Sequence, residues 1–87
     1  MSDALALVIE LCGRLAEPHG PAVTVPIPAE GCAAGDLLER VAHGFPALRP
    51  LLDPARVRIC LNETIVRHAA LVRPGDTVAL FPPVSGG

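Results

Sequence analysis

The seven C-terminal residues are the part of the sequence best suited to chemistry: Phe81, Pro82, Pro83, Val84, Ser85, Gly86 and Gly87. At average glycine usage, two adjacent terminal glycines arise by chance with a probability of roughly 0.5%. The two prolines lack backbone donors and cannot continue a β-ladder, so they predict a stiff, extended stalk. Because the glycines have no Cβ atoms, they can pass through a narrow channel and let another protein's backbone approach closely.

The carboxylate of Gly87 is the reactive group that such a tail would present. A carboxylate is a poor acyl electrophile and needs activation, for example as an acyl adenylate. Once activated, it can accept sulfur as a thiocarboxylate or join an amine as an amide. The alternative is a frayed end without function, which is the usual fate of terminal residues. We therefore predict a folded domain over residues 1–81 and an extended, flexible tail over 82–87.

The rest of the chain offers few residues for catalysis. The histidines are predicted in a turn, at a helix end and after a short strand, and none has a recognisable nucleophile nearby: His19, His43 and His68. The cysteines show no C-x-x-C spacing and are predicted to be small buried or half-buried hydrophobes: Cys12, Cys32 and Cys60. All seven basic residues are arginines, so no lysine Schiff base is possible. We expect no metal, no cofactor and no self-sufficient enzyme here.

Composition narrows the possible partners. The chain is 51% hydrophobic and 18% charged, which is unusually apolar for 87 residues. Either part of its apolar surface meets a protein partner, or the sequence is simply rich in Ala, Val and Leu. A net charge of −2 without a basic run argues against nucleic acid. The longest apolar run, Ala4 to Ile9, is too short to cross a bilayer, and the acidic start lacks a signal peptide's positive region. The cytoplasm is the expected compartment.

The first half of the chain predicts a β-hairpin followed by a helix. Alternating aliphatic residues favour a strand from Ala4 to Cys12, and a turn precedes a second strand from Ala22 to Ile27. Pro26 and Pro28 place that second strand at a sheet edge. Asp36 to His43 has the period of a helix with one apolar face, formed by Leu37, Leu38, Val41 and Ala42. Gly44 is expected to end the helix, and a helical turn to follow over Leu48 to Leu52.

The second half predicts three further strands. Arg56 to Asn62 alternates, with Val57, Ile59 and Leu61 facing the core. Asn62 and Glu63 suggest a tight turn into a short strand, Thr64 to Val66. Arg73 to Asp76 is a turn, and Thr77 to Phe81 is the last strand, with Val78 and Leu80 inward. The order β-β-α-β-β-β indicates an α+β domain of the β-grasp, ubiquitin-like type, in which one main helix covers a mixed sheet.

Two outward-facing positions near the tail could serve recognition. Strand alternation places Phe81 outward, where it can be an interface anchor or fold its ring back against Pro82. Arg56 and Arg58 can pair with carboxylates of a partner, or form an ordinary solvated face.

The C-terminal third, from Leu61 to Val66 and from Gly75 to Gly87, resembles the small subunit of molybdopterin synthase. That protein belongs to the molybdopterin branch of the MoaD/ThiS sulfur carriers, and the ending Phe-Pro-Pro-Val-Ser-Gly-Gly is typical of this branch. Arg14 to Glu17 and the helix start at Asp36 also look like the family. One departure is Leu80, where many relatives have a second aromatic residue.

The resemblance implies a role for the tail. An E1-like enzyme would adenylate the Gly87 carboxylate with ATP and magnesium, and a sulfur donor protein would convert it to a thiocarboxylate. The tail would then enter the large synthase subunit, where the sulfur attacks cyclic pyranopterin monophosphate in molybdenum cofactor biosynthesis. Two small and two large subunits form the family's heterotetramer. This chain would be its sulfur-donating subunit, with most catalytic side chains on the large one.

Three other functions are compatible with the same sequence. The first is a ubiquitin-like modifier, joined through Gly87 to lysines of other proteins. The second is a sulfur carrier for thiamine or cysteine synthesis. The third alternative is a β-grasp interaction module whose tail has no role.

Overall fold

The computed structural model describes residues 4–83, which contain one α-helix and seven strands. The elements are β1 (Ala4–Leu11), β2 (Ala22–Pro28), β3 (Cys32–Ala33), α1 (Ala34–Gly44), β4 (Arg58–Leu61), β5 (Thr64–Val66), β6 (Leu71–Val72) and β7 (Val78–Phe81). Short 3₁₀ helices cover Gly13–Ala16 and Pro46–Leu51. None of the helices within this range is long and apolar enough to cross a membrane.

A five-stranded mixed sheet in the order β2-β1-β7-β4-β5 forms the body of the domain. β1 runs parallel to β7, and the other neighbouring strands are antiparallel. β3 and β6 form a separate two-stranded sheet. This arrangement, with one main helix on the mixed sheet, confirms the predicted α+β, β-grasp fold.

Among residues 4–83, α1 covers one face of the sheet and no helix covers the other. On the face that α1 covers, alternate strand residues are buried together with the helix residues Ala34, Leu37, Leu38, Val41 and Ala42. The core members from the sheet are Leu7, Ile9, Leu11, Val23, Val25, Ile27, Ile59, Val78 and Leu80. We call this the closed face and the opposite side the open face. The predicted apolar side of the helix and the inward positions of β7 are confirmed.

Both predicted turns around β7 are present. Asn62 and Glu63 have positive φ angles of 49° and 71°, as a two-residue hairpin between β4 and β5 requires. Gly75 has a φ of +94°, and Asp76 N donates to Arg73 O at 3.1 Å. The two turns contact each other, because Thr77 N donates to Asn62 Oδ1 at 2.9 Å. The start of β7 is therefore fixed by hydrogen bonds between the turns.

Several predicted boundaries differ from the structure. α1 begins at Ala34 instead of Asp36, because Ala34 N and Gly35 N donate to the carbonyls of Ala70 and His68. β4 begins at Arg58 instead of Arg56, because the amides of residues 56 and 57 both donate to Asp53 O in a turn.

The other differences are smaller or concern elements that the pattern did not show. β1 and β7 are each one residue shorter than predicted, β2 is one residue longer, and the turn after α1 is a 3₁₀ helix over Pro46–Leu51. β3 and β6 were not predicted, since two residues are too few to show a period. β2 is a sheet edge, as its prolines indicated.

Candidate functional site

β7 is the middle strand of the sheet, and the tail follows directly after it in the sequence. Leu80 is paired on one side with Leu11 of β1 and on the other with Ile59 of β4. The last pair of the ladder joins Phe81 to Arg58. Beyond β1, Cys12 N also donates to Leu80 O at 3.0 Å. The backbone is therefore held on both sides up to Leu80, and Phe81 is paired with β4 on one side.

Pro82 follows at once and packs against Gly13. The backbone of Gly13 has a φ of +58°, and a Cβ atom at this position would lie 3.1 Å from Pro82 Cγ. A side chain there would meet both backbone strain and a tight contact. Pro82 and Pro83 are each partly buried. Gly13 thus contacts the root of the tail, and sequence reasoning did not single it out.

The remaining predicted tail residues, Val84, Ser85, Gly86 and the Gly87 carboxylate, lie outside the described residues. The structure therefore describes the root of the tail and its surroundings.

A shallow apolar groove lies beside this root on the open face. We call it the tail-root groove; it is lined by Cys12, Gly13, Arg58, Ile65, Phe81, Pro82 and Pro83. Ile65 is 53% exposed and Phe81 is 38% exposed, so two large apolar side chains are in solvent within one groove. The predicted outward position of Phe81 agrees with this exposure. Water-exposed apolar groups in a continuous groove are typical of a surface that meets a protein.

A second depression lies next to the groove and is strongly basic. We call it the basic cleft; it has a volume of about 590 Å³ and is lined by Pro54, Ala55, Arg56, Val57, Arg58, Val66, Arg67, His68 and Pro83. Arg58 and Pro83 line both depressions. The predicted outward positions of Arg56 and Arg58 are confirmed by their exposure. Sequence reasoning missed Arg67 and His68, which reach the cleft through the β4–β5 hairpin.

The cysteines and the other histidines do not form a reactive site. All three cysteines are free thiols; Cys32 is buried and the other two are partly buried, as predicted. Burial, followed by the nearby Glu10 and Cys60, raises the pKa of the Cys12 thiol, so this group beside the tail stays protonated near neutral pH. His19 stacks edge-on with Phe45 at 5.1 Å between ring centroids, away from the tail. Within residues 4–83, no three His, Cys, Asp or Glu side chains are placed to hold a metal.

Comparison with known proteins agrees with this geometry. A model of the ThiS family matches residues 9–87. The molybdopterin synthase sulfur carrier subunit of Haemophilus influenzae is 36% identical over 36 residues, which are 41% of this chain and 44% of that protein. The matched segment thus spans less than half of that relative.

Solved structures resemble the whole domain. The crystal structure of small archaeal modifier protein 1 from Haloferax volcanii superposes with a TM-score of 0.76 and 27% identity, covering 94% of this chain and 99% of the other. A Pyrococcus furiosus protein, described as a candidate subunit 1 of a molybdopterin converting factor, gives a TM-score of 0.74 at 22% identity. The match covers 92% of this chain and 99% of that protein, and it shows that the two have the same fold.

Proposed function

The chain belongs to the ThiS family of ubiquitin-like sulfur carriers, and we propose that it is the sulfur carrier subunit of a molybdopterin synthase. The observation that carries this proposal is the root of the tail. The central strand β7 ends in two prolines beside an exposed apolar groove, and four residues later the sequence ends on Gly-Gly. The name of the Haemophilus influenzae relative supports the choice of pathway.

The proposed chemistry has four steps, which begin and end with the Gly87 carboxylate. An activating enzyme uses ATP and magnesium to convert the carboxylate to an acyl adenylate, with release of pyrophosphate. A sulfur donor at the oxidation level of sulfide then displaces AMP and leaves a thiocarboxylate. In the synthase, this sulfur attacks an oxygen-bearing carbon of cyclic pyranopterin monophosphate and displaces that oxygen. Water then hydrolyses the resulting thioester, which leaves the sulfur on the pterin and regenerates the Gly87 carboxylate. A second carrier would supply the second sulfur of the dithiolene.

The domain itself would position the tail and bind partners. Phe81 and Ile65 would contact the large subunit of the synthase, since exposed aromatic and branched side chains are frequent anchors of protein interfaces. Pro82, held on Gly13, would aim Val84, Ser85 and Gly86 toward that partner's active site. The large subunit would supply most of the catalytic side chains, in a heterotetramer of two small and two large subunits.

The intact mass of the protein tests the proposal. The chain is incubated with ATP, magnesium, an E1-like adenylating enzyme and a sulfur donor. We expect a gain that corresponds to one oxygen replaced by sulfur and that localises to the C-terminal peptide. The charged carrier should then yield molybdopterin when cyclic pyranopterin monophosphate and a large subunit are added. No gain with an enzyme that charges other carriers would contradict the proposal.

A second candidate function is protein modification. The similarity to small archaeal modifier protein 1 favours it, because that match covers nearly the whole of both chains at 27% identity. In this case the activated Gly87 would form amides with lysines of other proteins. Adducts on many cellular proteins, lost when Gly87 is deleted, would favour the modifier. Recovery with a single large subunit would favour the synthase.

A further inference from the structure

We propose that the basic cleft binds an acidic segment of the enzyme that activates the tail. This inference rests on the proposed function, because it concerns the partner that receives Gly87. The cleft gathers three of the seven arginines of a chain whose net charge is −2. None of the acidic residues lines it. A positive surface of this kind on an acidic protein attracts a negatively charged partner.

The arginines of the cleft form no ion pair and no side-chain hydrogen bond with residues 4–83. Among residues 4–83, the one ion pair joins Arg49 to Glu39, with 3.5 Å between the charged atoms, and it lies outside the cleft. Arg56, Arg58 and Arg67 therefore have no acidic partner in the described part of the chain. Their guanidinium groups are exposed and can form paired hydrogen bonds with carboxylates.

The hairpin also brings like charges together. The β4–β5 ladder ends with the pair Ile59 and Val66, and the next positions are Arg58 and Arg67. Like charges at opposite positions of a sheet destabilise it. His68 is added to the same cleft because its carbonyl accepts from Gly35 N at 2.9 Å, which ties this segment to the start of α1. A partner's carboxylates would relieve this repulsion when they bind.

The location restricts the partner to a protein that binds the tail, as the activating enzyme does. Pro83 lines the cleft, and Gly87 lies only four positions later in the sequence. Four extended residues span at most about 14 Å, so an enzyme that holds the Gly87 carbonyl must also lie close to the cleft. Through Arg58 and Pro83, the cleft continues into the tail-root groove. The groove and the cleft would thus be the apolar and the electrostatic parts of one docking surface.

Charge reversal tests this inference. The double variant Arg56→Glu with Arg67→Glu is compared with a matched control, Arg49→Glu with Arg73→Glu, which changes the net charge equally on residues outside the cleft. Association and dissociation rates are measured with an adenylating enzyme shown to bind the wild-type protein, at low and at high ionic strength. We expect the cleft variant to associate at least about tenfold more slowly at low ionic strength and to lose most of the salt dependence. The control should stay within about twofold of the wild type.

A milder variant and a check of folding distinguish a loss of binding from a loss of structure. Arg56→Gln with Arg67→Gln removes the charges without adding negative ones, and it should show a smaller decrease in the same direction. Circular dichroism checks that each variant is folded. Equal association rates for cleft variant and control would overturn the inference, and the proposed function would survive if the wild type still gains sulfur. A wild type that binds but gains no sulfur would overturn the proposed function instead.

Discussion

The two faces of the sheet differ in the exposure of their apolar side chains, although the same strands form both. On the closed face, Leu80 is 0% exposed and Ile59 is 1% exposed, packed against α1. On the open face, the next residue of the same strand, Phe81, is 38% exposed, and Ile65 is 53% exposed. Burial stabilises the closed-face residues, whereas exposed apolar groups contribute little to folding. The difference shows that the closed face stabilises the fold, and it supports the proposal that the open face binds a partner.

The largest effect on function is expected from changes at Gly87, which leave both faces of the sheet unaltered. Replacing Gly87 with Ala, or adding one residue after it, should abolish formation of the thiocarboxylate, because the activating enzyme must grip the terminal carboxyl without a neighbouring side chain. The thermal midpoint should not change. The matched control is Gly44→Ala, since a Cβ atom there meets nothing within 4 Å. Intact mass after the charging reaction gives the readout. A Gly87→Ala protein charged as fast as the control would show that the terminus is not the reacting group.

Two adjacent substitutions on β7 test the difference between the faces directly. Leu80→Ala should reduce the free energy of unfolding by roughly 2–5 kcal/mol, because it leaves a cavity in the core. Phe81→Ala, one position later, should cost about 1 kcal/mol or less. Urea denaturation of both variants measures the difference. Similar losses for the two would mean that the open face also stabilises the fold.

For binding of the large subunit, in contrast to stability, we expect the exposed residue Phe81 to matter most. Phe81→Ala is expected to weaken binding of the large subunit by about tenfold or more, as expected for an aromatic anchor of an interface. Leu71→Ala is the control, because Leu71 is also exposed, at 49%, but lies on β6 in the small sheet. Isothermal titration with the large subunit gives both dissociation constants. An unchanged constant for Phe81→Ala would remove this residue from the interface.

The closed face could be predicted from the sequence more fully than the open one. The helix face with Leu37 and Val41 and the inward positions Val78 and Leu80 follow from local periods, which a single segment displays. The contact of Gly13 with Pro82 joins residues far apart in the chain, so no local pattern contains it. The basic cleft also joins distant residues, because Pro83 lies beside Arg58 and Arg67, which the predicted hairpin alone does not show. The sites on the open face depend on the assembled sheet, and this is why sequence reasoning found only part of them.

A smaller effect is expected at the contact that directs the tail. Gly13→Ala should slow charging several-fold, because its Cβ atom would displace Pro82. It should also lower the free energy of unfolding by about 1 kcal/mol, owing to the positive φ. The control is Gly20→Ala, where φ is +98° but nothing lies within 4 Å. Both variants lose stability, so only a difference in charging rate reports on the tail. Equal rates would show that the contact with Pro82 does not direct it.

The smallest effect concerns the opposite end of β7, where polar contacts fix the strand without meeting the tail. The amide of Arg73 donates to Asp76 Oδ2 at 2.8 Å, and Asn62 Nδ2 donates to Asp76 Oδ1 at 3.2 Å. These two bonds, mainly the one from Arg73, lower the pKa of the Asp76 carboxyl below its usual value. The ionised form is therefore favoured in the folded state. Its stabilising contribution is complete above the ordinary pKa of an aspartate, about 3.9, and is lost as the pH falls through the lower folded value.

Thermal midpoints measured from neutral to acidic pH test this assignment. The wild type should lose stability as the pH falls through this range, and Asp76→Asn should lose less because its side chain does not titrate. Glu30→Gln serves as the control, since the Glu30 side chain accepts no hydrogen bond among residues 4–83. Charging of the tail at neutral pH should be the same in all three proteins, because the polar end of β7 is remote from Phe81. A charging defect in Asp76→Asn would mean that the two ends of the strand are coupled.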